Sequence, residues 1–349
     1  MKKILSLLLG AVSCIPVSFA QDSHGASLET DPGLMTLRGE VRLDYQRDMQ
    51  DGHTVDGNSG FEGKYVNFRV DGRLAEGLTY SWRQRLNKHH EDANFFDATD
   101  WIYLDYRYGA WSFSAGKQVV AIGGWEYDRA PIDLYGCSVF WNNIPCYEVG
   151  GSVAWHPTGR DKLMLQVCES PFFTPDNRNM YSYNLFWQGS HGVFSALYSA
   201  NMVEYLPGKY ISYIALGNKL SMGQWGLELD LMNRAASHQT YLLKDVSVMG
   251  ELSWRPTSRW TVFGKATYDV NHSGTGADYC VMDGTELTMA GAGCEFFPLL
   301  TDRQALRLHL NCFYSWGRNA NSANVMQNKT MLIDLGVKWN MDFLRLARK

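Results

Sequence analysis

Beyond its first twenty residues the chain has no apolar run long enough for a membrane helix, which needs about 18 or more consecutive apolar residues. It has only ten prolines and no Pro-, Gly- or Ser-rich linker, so 349 residues read as one domain. Charge is also scarce in net terms. The formal balance is -4, and without Lys2 and Lys3 it is -6, too mild to point to nucleic acid or a strongly charged partner. There is no CxxC motif and no Cys/His cluster among the seven cysteines and nine histidines, so no metal site is expected. Cys137 and Cys146 share one long connection and leave two readings open, a disulfide in an oxidising compartment or two free thiols. No Gly-x-Ser-x-Gly elbow or His-Glu-x-x-His helix occurs. His309 sits beside Arg307 and His191 sits in a turn, without a catalytic motif around either. Gly291-Ala292-Gly293 lies inside a strand pattern, where glycine permits close packing. Neither an enzyme nor a cofactor is expected.

The first twenty residues are a secretory signal. Lys2 and Lys3 precede the apolar stretch from Ile4, and Ser18-Phe19-Ala20 supplies small residues for cleavage. The apolar stretch continues past Cys14, which argues against lipidation there. Residues 21–35 then form a short N-terminal segment, 36–343 the main domain and 344–349 a tail.

What the chain does contain is alternation. Leu37, Val41, Leu43 and Tyr45 take one face, and Arg38, Glu40, Arg42, Asp44 and Gln46 the other. Val66, Phe68, Val70 and Leu74 oppose Asn67, Arg69, Asp71 and Arg73. Leu306, Leu308, Leu310 and Cys312 oppose Arg307, His309 and Asn311. Sixteen such segments follow one another, and period two sustained this often predicts strands with one apolar face. Segments near ten residues suit a tilted membrane strand. Val193–Ala200 and Tyr210–Lys219 alternate less cleanly, and their faces stay unassigned. In lipid every backbone polar group must be paired internally, so strands that span a membrane must close into a barrel. The fold class predicted is an all-β transmembrane antiparallel barrel of about 16 strands.

Connections alternate in length. Short ones fall at Ala75–Gly77, Gly109–Ala110, Pro157–Asp161, Gly189–His191, Ser221–Gln224 and Arg255–Arg259, with a longer one at Pro298–Gln304. Long ones lie between them, including Lys88–Thr99, Val119–Tyr147 and Ala200–Gly208. Short turns belong on the periplasmic side of an outer-membrane barrel and long loops outside. Trp111, Trp155, Trp187, Trp225, Trp254 and Trp260 all lie near short turns, where an interfacial girdle is expected.

Val119–Tyr147 is the longest connection. It carries Trp125, Glu126, Tyr127, Asp128, Arg129 and Asp133, too many aromatics for a disordered loop. The expectation is that this third loop folds into the lumen and narrows it; the alternative is an extracellular cap. The inward faces of the first strands carry Arg38, Arg42, Arg69, Arg73, Arg83, Arg85 and Arg107 among Glu40, Asp44, Asp71 and Asp105. Strands eleven to thirteen reverse the balance with Glu228, Asp230, Glu251 and Asp269. One lumen wall is therefore expected to be basic and the other acidic. A wall of fixed charge selects ions, unless these groups merely satisfy one another as lumenal ion pairs.

Gly116-Lys117-Gln118, Ser170-Pro171-Phe172, Leu229-Asp230-Leu231-Met232-Asn233-Arg234, Tyr268-Asp269-Val270-Asn271 and Gly293-Cys294-Glu295-Phe296-Phe297-Pro298 resemble the phosphate-selective porin O and P family, in its Bacteroides-type versions. The resemblance implies a sixteen-stranded homotrimeric porin in the outer membrane of a Gram-negative bacterium. It implies constriction loops inside the pore and basic side chains guiding phosphate. The chain departs from it in charge, because its inward arginines are interleaved with carboxylates. The function expected is passive diffusion of small hydrophilic solutes, with an anion or phosphate preference along the seven arginines and a constriction at the third loop. The partners expected are outer-membrane lipid and small anions. Rival readings are a non-conducting adhesin or structural anchor and a membrane-embedded hydrolase.

Overall fold

The computed structural model describes residues 34–88, 95–239, 244–321 and 326–346. The expected signal peptide, residues 21–33 and the last three residues lie outside them. Sixteen strands follow in chain order: β1 (Met35–Gln50), β2 (Gly60–Ala75), β3 (Leu78–Arg85), β4 (Thr99–Tyr108), β5 (Trp111–Val119), β6 (Tyr147–Thr158), β7 (Asp161–Glu169) and β8 (Tyr181–His191). The second half contributes β9 (Phe194–Leu206), β10 (Lys209–Met222), β11 (Trp225–Ala236), β12 (Asp245–Thr257), β13 (Trp260–Asn271), β14 (Thr285–Phe296), β15 (Leu306–Arg318) and β16 (Thr330–Leu346). A two-residue extension, His53–Thr54, decorates the first loop.

Each strand pairs antiparallel with its neighbours in sequence, and β1 also pairs with β16 along its length, Arg42 opposite Lys338. The sheet therefore closes and has no free edge. That closure is what hydrocarbon demands, since each unpaired backbone group there would cost several kcal/mol. The faces follow the alternation. Leu43 is 42% exposed on the outside while Arg42 and Asp44 beside it are 3% and 2% exposed within. Outward aromatics pair across strands near the short turns, Trp111 stacked on Trp155 and Trp225 on Trp254. Such an amphipathic belt suits the interface of a bilayer.

Three boundaries depart from the sequence reading. The last strand runs to Leu346, not Phe343, because β1 begins at Met35 and offers pairing partners to Leu344–Leu346. The turn placed at Gly189–His191 lies at Gly192–Val193. The connection expected to be long at Ala200–Gly208 is the two-residue turn Pro207–Gly208, since β9 continues to Leu206.

Candidate functional site

The interior is divided between a folded loop and an open cavity. The third loop, residues 120–146, leaves β5 and lies along the inner faces of β7 to β9. Gln166 accepts from the Ala121 N–H at 2.7 Å, Asn201 donates to the Ala121 carbonyl at 2.8 Å, and Ser199 Oγ accepts from Gly123. A side chain at Gly217 of β10 would collide with the Gly124 backbone, so a bare strand face seats the loop there.

The loop then crosses to the strands read as an acidic wall. Arg129 pairs with Glu228 and, at 2.7 Å, with Glu251. Asp230 accepts the Glu126 N–H at 2.8 Å, and Asp269 accepts those of Val139 and Phe140. Lys265 meets Glu126 at 2.7 Å, and Glu126 also accepts from the Ser138 N–H and hydroxyl. Carboxylates at these four positions do not face solute. They dock the loop, which corrects the expectation of an acidic pore wall.

At the far end Asp133 meets Arg307 at 2.7 Å and Lys338 at 2.5 Å. Burial pushes the Asp133 carboxyl up, but those two cations outweigh it and leave it below the usual carboxylate range. For Arg129 burial works against the charge, and Glu228 and Glu251 more than reverse that, holding it charged. Arg42 donates to the carbonyls of Ile132 and Leu134 and binds Asp44 at 2.8 Å, its guanidinium 4.6 Å above the Tyr135 ring. Gly136, at φ +51°, brings the loop so close to Phe313 that a β-carbon would sit 2.5 Å from its ring. Around these ties Val139, Phe140 and Ile144 bury against Val203, Ile211, Tyr213 and Phe263. The loop thus occupies the inside of the barrel and fills its β9–β15 half. Cys137 and Cys146 are both free thiols, and burial pushes each up to about 12.

The remaining space lies between the loop and the wall of β1 to β8. Glu40, Arg69, Arg83, Trp101, Tyr103 and Asp105 line it from the wall, and Tyr127, Asp128 and Asp133 from the loop. Arg38, Arg69 and Arg83 stand opposite one another on β1, β2 and β3, a direct cross-strand row of three like charges. Such a row is destabilising by itself. Each arginine has its own carboxylate: Asp342 at 3.3 Å from Arg38, Asp71 at 2.8 Å from Arg69, and Glu40 at 3.0 Å from Arg83. Arg69 and Arg83 also cap the Trp101 ring at 5.5 and 5.0 Å.

The seven arginines therefore separate. Arg42 is spent on the loop. Arg83, 1% exposed, and Arg85 share Asp100. Arg38 and Arg69 keep partly exposed side chains, Arg73 is half-buried, and Arg107 is exposed at the short-turn mouth. Of the loop residues, Trp125 lies under the Lys219 ammonium at 4.7 Å, while Tyr127 and Asp128 face the cavity. Asp100 escaped the sequence reading because β4 bulges there: Arg83 pairs with Trp101 and Gln84 with Thr99, leaving Asp100 as the extra residue. A bulge re-aims a side chain. Lys162 of β7 also lines the cavity and was missed.

Residues 35–192 match the phosphate-selective porin O and P family. No curated protein matches the chain in sequence. Among solved structures it is similar to the anion-selective porin from Comamonas acidovorans, at 12% identity over 88% of this chain and 99% of that one, with a TM-score of 0.60. It is similar to the outer membrane channel DcaP of Acinetobacter baumannii, at 10% identity over 88% and 97%, TM-score 0.62. OmpT of Vibrio cholerae matches at 10% identity over 90% and 99%, TM-score 0.58. Identities this low speak for the fold. The matched segment, a little under half of the chain, holds the whole arginine row and the inner loop; over it the chain is similar to the phosphate-selective porin O and P family, and its closed barrel has the fold of outer-membrane porins of Gram-negative bacteria.

Proposed function

We propose that this porin passes small hydrophilic solutes through the space between its inner loop and the β1–β8 wall, with a preference for anions set by Arg38, Arg69 and Arg83. The observation that carries the reading is the division of the lumen. Loop-docking charges are consumed on one side, whereas Arg69 and Arg83 of the arginine row line the cavity on the other. Paired donors on a guanidinium suit phosphate and carboxylate. An anion-selective relative of the same fold supports the same direction. The inner loop, with Tyr127, Asp128 and Asp133 at its edge, sets the narrowest passage, and the protein assembles as a homotrimer, a form named for one relative of this fold.

The test is purified protein in planar bilayers under a salt gradient. Stepwise current with a reversal potential on the anion side is expected, and phosphate against chloride reports which anion is favoured. A silent membrane overturns the channel, and a cation-side potential overturns the preference. One observation raises catalysis as a rival: Ser112 Oγ and His156 Nε2 lie 3.0 Å apart at the cavity's short-turn end. Among the described residues no carboxylate hydrogen-bonds to His156, so the third member of a hydrolytic triad is missing. Labelling of Ser112 by a fluorophosphonate would favour that rival over a channel alone.

A further inference from the structure

The wall beside the arginine row is built differently from the row itself. On β5 and β6 the side chains on the cavity face are small and polar: Ser114 stands opposite Ser152, and both line the cavity. Ser112, Gln118 and Ala154 continue the same face. The result is a recess without charge, as wide as two strands. It is bordered by Arg69, Trp101 and Tyr103 on one side and by Lys162 on the other. Lys162 is half-buried and has no ion pair within 4 Å among the described residues.

The recess is rich in groups that bind hydroxyls. Gln118 is buried and its side-chain N–H₂ has no partner, while its carbonyl accepts from Ser152 at 3.4 Å. Ser114 donates to Asp105 at 3.0 Å, which leaves the hydroxyl oxygen and the carboxylate able to accept further bonds. A bare inorganic anion gains from Arg69 and Lys162 but is repelled by Asp105. A solute with several hydroxyls and one oxyanion satisfies both: hydroxyls donate to Asp105 and accept from Gln118, and the oxyanion goes to a cation at the border. Tyr103 lines the cavity beside these groups.

We infer that the β5–β6 recess is a subsite for polyhydroxylated anions, sugar phosphates or sugar acids, which cross in preference to phosphate itself. The inference rests on the channel reading above and names its solute. The test uses the full-length protein in planar bilayers, with block of the KCl current titrated by glucose 6-phosphate, gluconate, glucose, inorganic phosphate and alanine. Glucose 6-phosphate or gluconate should half-block at about tenfold lower concentration than phosphate or glucose, the equivalent of one or two net hydrogen bonds. Comparison of those two identifies the oxyanion. Ser114→Val with Ser152→Val, and separately Lys162→Gln, should each erase that advantage, with the open-channel KCl current reporting that the variant has folded. Equal block by phosphate, or stronger block by the zwitterion alanine, overturns the inference and leaves the porin reading intact. Absence of any KCl current overturns the porin reading instead.

Discussion

The two halves of the lumen carry charge of comparable density and use it for opposite ends. On β11 to β13, Glu228, Glu251 and Asp269 are buried against the inner loop and saturated by Arg129 and by backbone N–H groups. On β1 to β3, Arg38 and Arg69 are paired yet still partly exposed, and Arg69 lines the cavity. Ionised side chains taken out of water are costly unless fully matched, so the first set behaves as mortar. The second set stands beside water, where attraction for a passing ion survives. Sign alone does not make a selectivity wall; what lies opposite the charge does.

The sharpest way to break this contrast is to unseat the loop. Arg129→Ala strands Glu251 and leaves Glu228 with Lys219 alone, and breaking a buried pair costs about 3–5 kcal/mol. Thermal unfolding should drop accordingly, and single-channel conductance should rise severalfold as the loop leaves the lumen. An unchanged conductance would mean that the loop does not narrow the passage. Next comes Arg69→Ser on the other half. A unit charge at about 4 Å in water is worth about 1 kcal/mol, so the anion-to-cation permeability ratio should fall roughly fivefold, read from the reversal potential with folding intact. Arg83→Ser with Arg85→Ser removes cations that are already paired and frees Asp100 and Glu40. It should move the ratio the same way and lower thermal stability more than Arg69→Ser does, because Arg83 is the more deeply buried and Asp71 keeps the Ser81 hydroxyl.

A smaller effect is expected with pH. The Asp133 carboxyl lies below its ordinary 3.8 in the folded protein, so its tie to Arg307 and Lys338 is at full strength above that value and lost only as pH falls well beneath it. Conductance and melting temperature should hold between pH 7 and 5 as far as this anchor is concerned, and a loop that loosens near pH 5 would count against it. The smallest change is expected for Arg107→Ser. At the exposed mouth its field is screened within about 10 Å at 0.1 M salt, and the permeability ratio should move by less than about twofold.

Much of this was legible in the residues. Alternation gave strand faces wherever the outside was greasy and the inside wet, as at Leu43 and Arg42. It blurred at Val193–Ala200 and Tyr210–Lys219 for a physical reason now visible: Leu197, Ile211, Tyr213 and Ala215 point inward and are apolar, because the loop covers them. Both faces of those strands are therefore hydrophobic. The same cause hid the Pro207–Gly208 turn, since Val203 breaks the pattern near the end of β9. Inward charges were found, but a sequence shows which face a carboxylate occupies and not whether water or a loop backbone meets it. Asp100 was invisible because a bulge shifts the period by one residue.

The turn at Pro207–Gly208, only two residues long, lies directly above the half of the barrel that is packed solid. Extra sequence spliced there, such as an epitope tag or a displayed peptide, would hang clear of the entrance used by solutes. Surface labelling of living cells at that position should therefore succeed without slowing nutrient uptake.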